Sequence, residues 1–160
     1  MKLGIDPGTV NIGVAVTNDD GALLFSTVLN CHELGGIDKV VAEILSICDT
    51  YKVNTCSIER FVPYKNIFSN SAEEILMIIG AVWYGLKLRG IQLHLLRAIQ
   101  WKPALCKYMV KTNGFSNPST SFDKKYSLAV AEAITKTKIK TTHEADAIGL
   151  SFMWKVYENK

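Results

Sequence analysis

Four side chains in this sequence have the types and positions to hold a hard metal ion: Asp6, Glu59, His143 and Asp146. Asp6 closes the apolar run KLGID just before Pro7-Gly8, and Glu59 closes the apolar run NTCSIE. His143 and Asp146 stand three apart in TTHEADAIGLSFMW, which puts both on one helix face near its positive end. Carboxylate oxygens suit Mg²⁺ or Mn²⁺, and one imidazole is compatible, above all with Mn²⁺. Two such ions about 4 Å apart can activate water and steady a leaving alkoxide, which is the chemistry of phosphodiester hydrolysis. Each residue also has a plainer reading. An Asp before Pro-Gly is often a turn former, Glu59 can pair with the adjacent Arg60, His143 can cap its helix, and Asp146 can be a solvated helix residue. The metal site rests on the combination.

The elements that must position these groups follow from the hydrophobic pattern. KLGID, NIGVAVTN and ALLFSTVLN read as strands joined by tight turns, the second turn being Asp19-Asp20-Gly21. Leu34, Ile37, Val41, Ile44, Leu45 and Cys48 recur at helical spacing over 34–51. NTCSIE is a further buried strand, residues 61–70 form a loop, and Ser71 with Glu74 predicts a capping box for a helix to about Leu88. GIQLHLL is a fifth strand, followed by a helix near 99–110 with Pro103 in its first turn. TNGFSNPSTS reads as an exposed loop, with helices near 122–136 and 143–157, the last capped by Thr142. Three leading strands, then strands alternating with helices, predict a mixed α/β sheet, which brings Asp6 and Glu59 together if their strands are neighbours.

The composition bounds the rest. A chain of 160 residues, 48% hydrophobic, is long enough for one domain with a substantial core, and shows no linker or repeat. Cys31, Cys48, Cys56 and Cys106 form no CxxC pair or Cys/His cluster, which argues against zinc and for reduced core thiols. No signal peptide precedes Asp6, and ILMIIGAVWYGLKL is too short for a membrane span, so a soluble cytoplasmic protein is expected. Nine basic residues against two acids lie between 97 and 140, which leaves the rest of the chain about −4 within a net charge of +3. That asymmetry suits a phosphate-binding face beside an acidic metal centre, although an ordinary solvated helix surface can produce it too.

Taken together, these segments resemble the RuvC family of Holliday-junction resolvases, within the ribonuclease-H-like superfamily. GIDPGTVNIGVAV resembles the family's first strand and hairpin and supplies Asp6 as the first catalytic acid. CSIERFVPYKN resembles the segment that supplies the catalytic Glu, here Glu59, with Lys65-Asn66 also fitting. HEADAIGLSF resembles the last catalytic helix, with Asp146 as the final acid and His143 where members carry Asp or His. Glu144, one residue off that face, is the alternative supporting group. FDKKYSLAVAE resembles the basic segment before that helix, with Lys124 at the expected lysine. The resemblance spans nearly the whole chain and is nearest to compact resolvase-like proteins of bacteriophages.

It implies an α/β, ribonuclease-H-like three-layer fold, with a mixed five-stranded sheet flanked by helices. It also implies a homodimeric, Mg²⁺-dependent endodeoxyribonuclease, with Mn²⁺ substituting and two ions per site. Such an enzyme resolves four-way junctions by paired nicks, leaving 3′-hydroxyl and 5′-phosphate ends. Asp6, Glu59, His143 and Asp146 would be the catalytic and metal-binding set, with Lys124 steadying the scissile phosphate. Phe61, Lys65, Phe68, Lys102, Lys107, Lys111, Lys124 and Lys125 are the expected DNA contacts. Where the family often carries an aromatic wedge this chain has Val62, with Phe61 beside it and Phe68 farther along. This favours a broader branched-DNA or replication-fork endonuclease as the alternative. The other rivals are a non-catalytic junction-binding protein and a small ATP-binding relative, for which 160 residues leave no second lobe. The helix at 71–88 is apolar all round, as either a core helix or the dimer interface would be.

Overall fold

The computed structural model describes residues 1–62, 70–115 and 124–158. Five strands form one mixed sheet: β1 (Lys2–Asp6), β2 (Asn11–Thr17), β3 (Leu23–Asn30), β4 (Thr55–Glu59) and β5 (Gln92–Leu96), in the order β3-β2-β1-β4-β5. The β1–β2 and β2–β3 pairs are antiparallel, and β1–β4 and β4–β5 are parallel. This is the predicted sheet: short turns allow the antiparallel pairs, and helical crossovers permit the parallel ones.

Alternation along the strands divides the molecule into layers. Leu3 and Ile5 of β1, Val14 and Val16 of β2, and Cys56 and Ile58 of β4 bury into one core with helices α2 (Ile37–Tyr51) and α3 (Asn70–Leu88). The opposite face of β1 and β2 carries Gly4, Gly13 and Ala15, and it takes helix α6 (Thr142–Glu158) at very close range. A Cβ on Gly4 would lie 2.0 Å from the Ala147 carbonyl oxygen, and one on Gly13 2.0 Å from that of His143. The glycines therefore let the α6 backbone lie directly on the strands. Helices α4 (Ala98–Asn113) and α5 (Lys124–Thr135) complete that layer through Trp101, Leu105, Met109 and Val130, which pack on Leu150 and Met153 of α6. All four cysteines are buried thiols, as expected. Among the described residues no helix is long and apolar enough to cross a membrane.

Four local expectations are corrected. The helix expected over 34–51 is broken: α1 (Cys31–Leu34) is capped by Asn30 and ends at Gly35, whose φ of 90° stops it, and α2 starts after Gly36. Apolar spacing continues across that break, so periodicity alone cannot see it. Ser71 lies inside α3, which already includes Asn70, and so is not its cap. Pro103 is the sixth residue of α4, in its second turn, because the helix starts at Ala98 after Arg97. The cap of α6 is Thr141: its Oγ1 accepts from the Glu144 N–H at 3.1 Å, which places Thr142 inside the helix.

Candidate metal centre

Strands β1 and β4 run side by side, with Ile5 opposite Ile58. One residue on, both strands end on an acid, Asp6 and Glu59. The period of two puts Asp6 on the side of Gly4, under α6, and Glu59 on the side of Ser57. The glycine-lined contact sets the height of α6, and its first turns bring Asp146 over the strand ends. Carboxylate oxygens of Asp6, Glu59 and Asp146 lie within 4.8 Å of one another. His143, one turn before Asp146, is held by Asp6, with Nδ1 at 2.7 Å from Oδ2.

Neighbours fix each acid. Trp101 Nε1 donates to Glu59 Oε2 at 2.8 Å. Ser127 Oγ donates to Asp146 Oδ1 at 2.5 Å, and Lys102 Nζ donates to Asp146 Oδ2 at 2.8 Å. Lys102 also stands 4.0 Å from Glu59 Oε2, so its ammonium lies between two of the three acids. Burial pushes the Asp6 carboxyl above its ordinary value; the His143 hydrogen bond pulls the other way, and the Asp146 charge adds to the rise. Burial likewise raises Glu59, against the Lys102 charge and the Trp101 hydrogen bond. Hydrogen bonding to Asp6 raises His143. Burial opposes charge on Lys102, but the charge of Asp146 and its hydrogen bond outweigh it and the pKa rises. The cluster is short of positive charge, and its donors are hard oxygens with an imidazole at the margin. That donor set fits Mg²⁺ or Mn²⁺ and excludes the thiols, which are buried elsewhere.

Of the residues singled out by sequence, Asp6, Glu59, His143 and Asp146 come together. Lys124 opens α5, exposed, close enough for its charge to oppose protonation of His143, and Lys125 follows it, also exposed. Phe61 is half-buried just beyond β4, and Val62 is exposed. Lys65 and Phe68 lie outside the described residues. One expectation needs correction. Glu144 does not support the acids: its carboxylate accepts from Ser26 Oγ of β3 at 2.7 Å. Lys102, expected as a DNA contact, also stands in the acid cluster. Lys107 and Lys111, expected as DNA contacts, line a groove with Gln100, Pro103, Ala104, Tyr108 and Val156, on the other side of α4. Trp101 and Ser127 were not singled out at all. Their roles depend on how α4 and α5 dock, and no spacing within either helix encodes that.

No protein-family model matches the chain, and no curated protein matches it by sequence. Solved structures do match it. The RuvC of Thermus thermophilus in complex with Holliday junction substrate superposes with a TM-score of 0.76 at 18% identity, over 98% of this chain and 93% of that one. The yeast mitochondrial Holliday junction resolvase Ydc2 gives 0.60 at 13% identity, over 98% of this chain and 79% of that one. The fowlpox virus resolvase, solved with Holliday junction DNA, gives 0.56 at 10% identity, over 95% and 96%. With its mixed five-stranded sheet and its helices on both faces, the chain has the ribonuclease-H-like fold of RuvC and these other resolvases.

Proposed function

We propose that this protein is a divalent-metal-dependent DNA endonuclease that resolves four-way junctions by paired, symmetric nicks. The observation that carries this reading is the convergence of Asp6, Glu59 and Asp146 from three separate elements, on a fold shared with proteins solved on Holliday junction DNA. Asp6, Glu59 and Asp146 would hold the ions, Mg²⁺ or Mn²⁺, with His143 beside them. Bound there, the ions supply the activation of water and the stabilisation of the leaving oxygen in phosphodiester hydrolysis.

The chain's own groups have separable tasks. Asp6 accepts from Nδ1 of His143, so neutral His143 presents its Nε2 lone pair, the position from which it can orient water or take a proton. Lys102 offers its ammonium where the acid cluster meets the scissile phosphate, and Lys124 adds a second cation next to His143. Lys125 extends the positive face, and phosphate contacts of this kind position DNA without reading its sequence. Helix α3 buries Ile78, Val82 and Leu86 in the core and exposes Leu76, Met77, Trp83, Tyr84 and Leu88. That apolar outer face supports a homodimer through residues 71–88, which would give the two sites that paired nicking needs.

The test is cleavage of a labelled four-way junction, a fork and plain duplex with Mg²⁺, Mn²⁺ or EDTA. Paired nicks confined to the junction support the resolvase, and cutting in EDTA removes the metal centre. The exposed Val62 favours one alternative, a broader branched-DNA or fork endonuclease, because no aromatic wedge stands at that position. Equal cutting of fork and junction would establish it. Metal-independent junction binding without cleavage would make the protein a binder.

A further inference from the structure

Glu59 reaches the cluster from the end of β4 on a side chain with three rotatable bonds, so its carboxylate needs an outside constraint. That constraint is unusual in kind. Trp101 is wholly buried, and its indole N–H donates to Glu59 Oε2 at 2.8 Å. The ring is held from beneath: a Cβ on Gly149 of α6 would lie 3.0 Å from Trp101 Cζ3 and 3.4 Å from Cη2. Gly149 is three residues past Asp146, on the same side of α6. One helix thus carries an acid of the cluster and, a turn later, the gap that admits the indole holding another.

The donor's chemistry matters as well. An indole N–H donates one hydrogen bond, carries no charge and does not titrate. It orients Glu59 without opposing a divalent cation, whereas the Lys102 ammonium on Asp146 competes with one by charge. We propose that Trp101 is a positioning residue: its indole N–H, seated over Gly149, fixes the Glu59 carboxylate in the geometry that binds a divalent ion. This rests on the reading of Asp6, Glu59 and Asp146 as a metal centre, but not on the identity of the DNA substrate.

The test uses the intact protein and two readouts that do not need cleavage. The first is the indole N–H spectrum of the metal-free protein, which has three tryptophans. One resonance, absent in Trp101→Phe, should lie downfield and should move in Glu59→Gln, while those of Trp83 and Trp154 stay in place. Glu59→Gln leaves the core beneath untouched, so this readout survives if Trp101→Phe folds poorly. The second is Ca²⁺ affinity. Trp101→Phe and Gly149→Ala should each weaken it about tenfold, the scale on which groups that orient metal ligands act. Trp154→Phe, whose indole nitrogen has no hydrogen-bond partner among the described residues, should leave it unchanged.

An unmoved Trp101 resonance in Glu59→Gln, or unchanged Ca²⁺ affinity in a folded Trp101→Phe, overturns the proposal. Absence of Ca²⁺ binding in the wild type overturns it together with the metal centre. If both readouts come out as expected but the wild type cuts no junction, the positioning role stands and the nuclease reading falls.

Discussion

The three acids are individually ordinary and collectively strained, and this has measurable consequences. Burial raises Asp6 and Glu59, so the folded protein keeps protons there at pH values where the unfolded chain has lost them. Stability contributed by these groups is therefore highest at low pH and is lost as pH rises through the raised values. His143 works in the same direction: its bond to Asp6 raises its pKa, so its contribution is full below about 6.5 and is lost as pH passes the folded value. The metal-free Tm should fall from about pH 4.5, the ordinary value of a glutamate, to pH 8, and the slope should be shallower in Glu59→Gln. Ca²⁺ should reverse that slope, because the ion competes with protons, adding about 2.7 kcal/mol at a hundred times its Kd. Thermal melts at the two pH values, with and without Ca²⁺, check both parts; a metal-free Tm that rises with pH in the wild type and not in Glu59→Gln would refute the assignment. Asp146→Asn should lower junction cleavage by roughly a hundredfold or more while junction binding in EDTA is kept. Sequence reveals these acids because each closes or opens a patterned element. It cannot reveal Trp101 or Ser127, which become partners only when separate helices dock.

At the scale of elements, the site is an outcome of how closely α6 lies on the sheet. Gly4 and Gly13 have no side chain to hold the helix away, so His143 and Asp146 descend onto the ends of β1 and β4. Gly13→Ala would place a methyl group at the His143 carbonyl, and backbone on both sides leaves little room to relax. We expect a loss of about 1–3 kcal/mol, the usual scale of overpacking, and a larger fractional loss of cleavage than of junction binding. Denaturant unfolding with matched cleavage and binding assays measures both, and full activity in a destabilised variant would show that the close approach serves packing alone. The glycines were visible in KLGID and NIGVAV, but their purpose was not, since a glycine in a strand states only that something approaches. The same limit explains the helix starts. Thr141 and Thr142 are equally good capping residues by type, and only the Glu144 N–H decides between them. Pro103 fits a first turn by preference, yet the Arg97 carbonyl accepts from the Gln100 and Trp101 N–H groups and the helix starts before it.

For the whole molecule, the proposed function raises the question of how one site per chain would make paired nicks. Sequence left α3 open as core or interface, and its faces now separate: Ile78, Val82 and Leu86 are 1%, 1% and 0% exposed, while Met77, Tyr84 and Leu88 are 62%, 66% and 70% exposed. Trp83, at 49%, belongs to the outer set. An apolar outer face on a helix already anchored by its other side is costly in water and is relieved by a symmetric copy, in which the same patch meets itself. Tyr84→Glu with Leu88→Glu would set like charges against each other across the two-fold axis and leave the buried stripe intact. Sedimentation should then show monomers where the wild type is dimeric, at unchanged Tm within a few degrees. Such monomers retain Asp6, Glu59, His143 and Asp146, so Ca²⁺ affinity should hold. On a four-way junction they should make isolated nicks at a reduced rate, because nothing couples a second cut to the first. Paired nicks from a proven monomer would place the coupling in the DNA, and a wild type that sediments as a monomer would remove α3 as the interface.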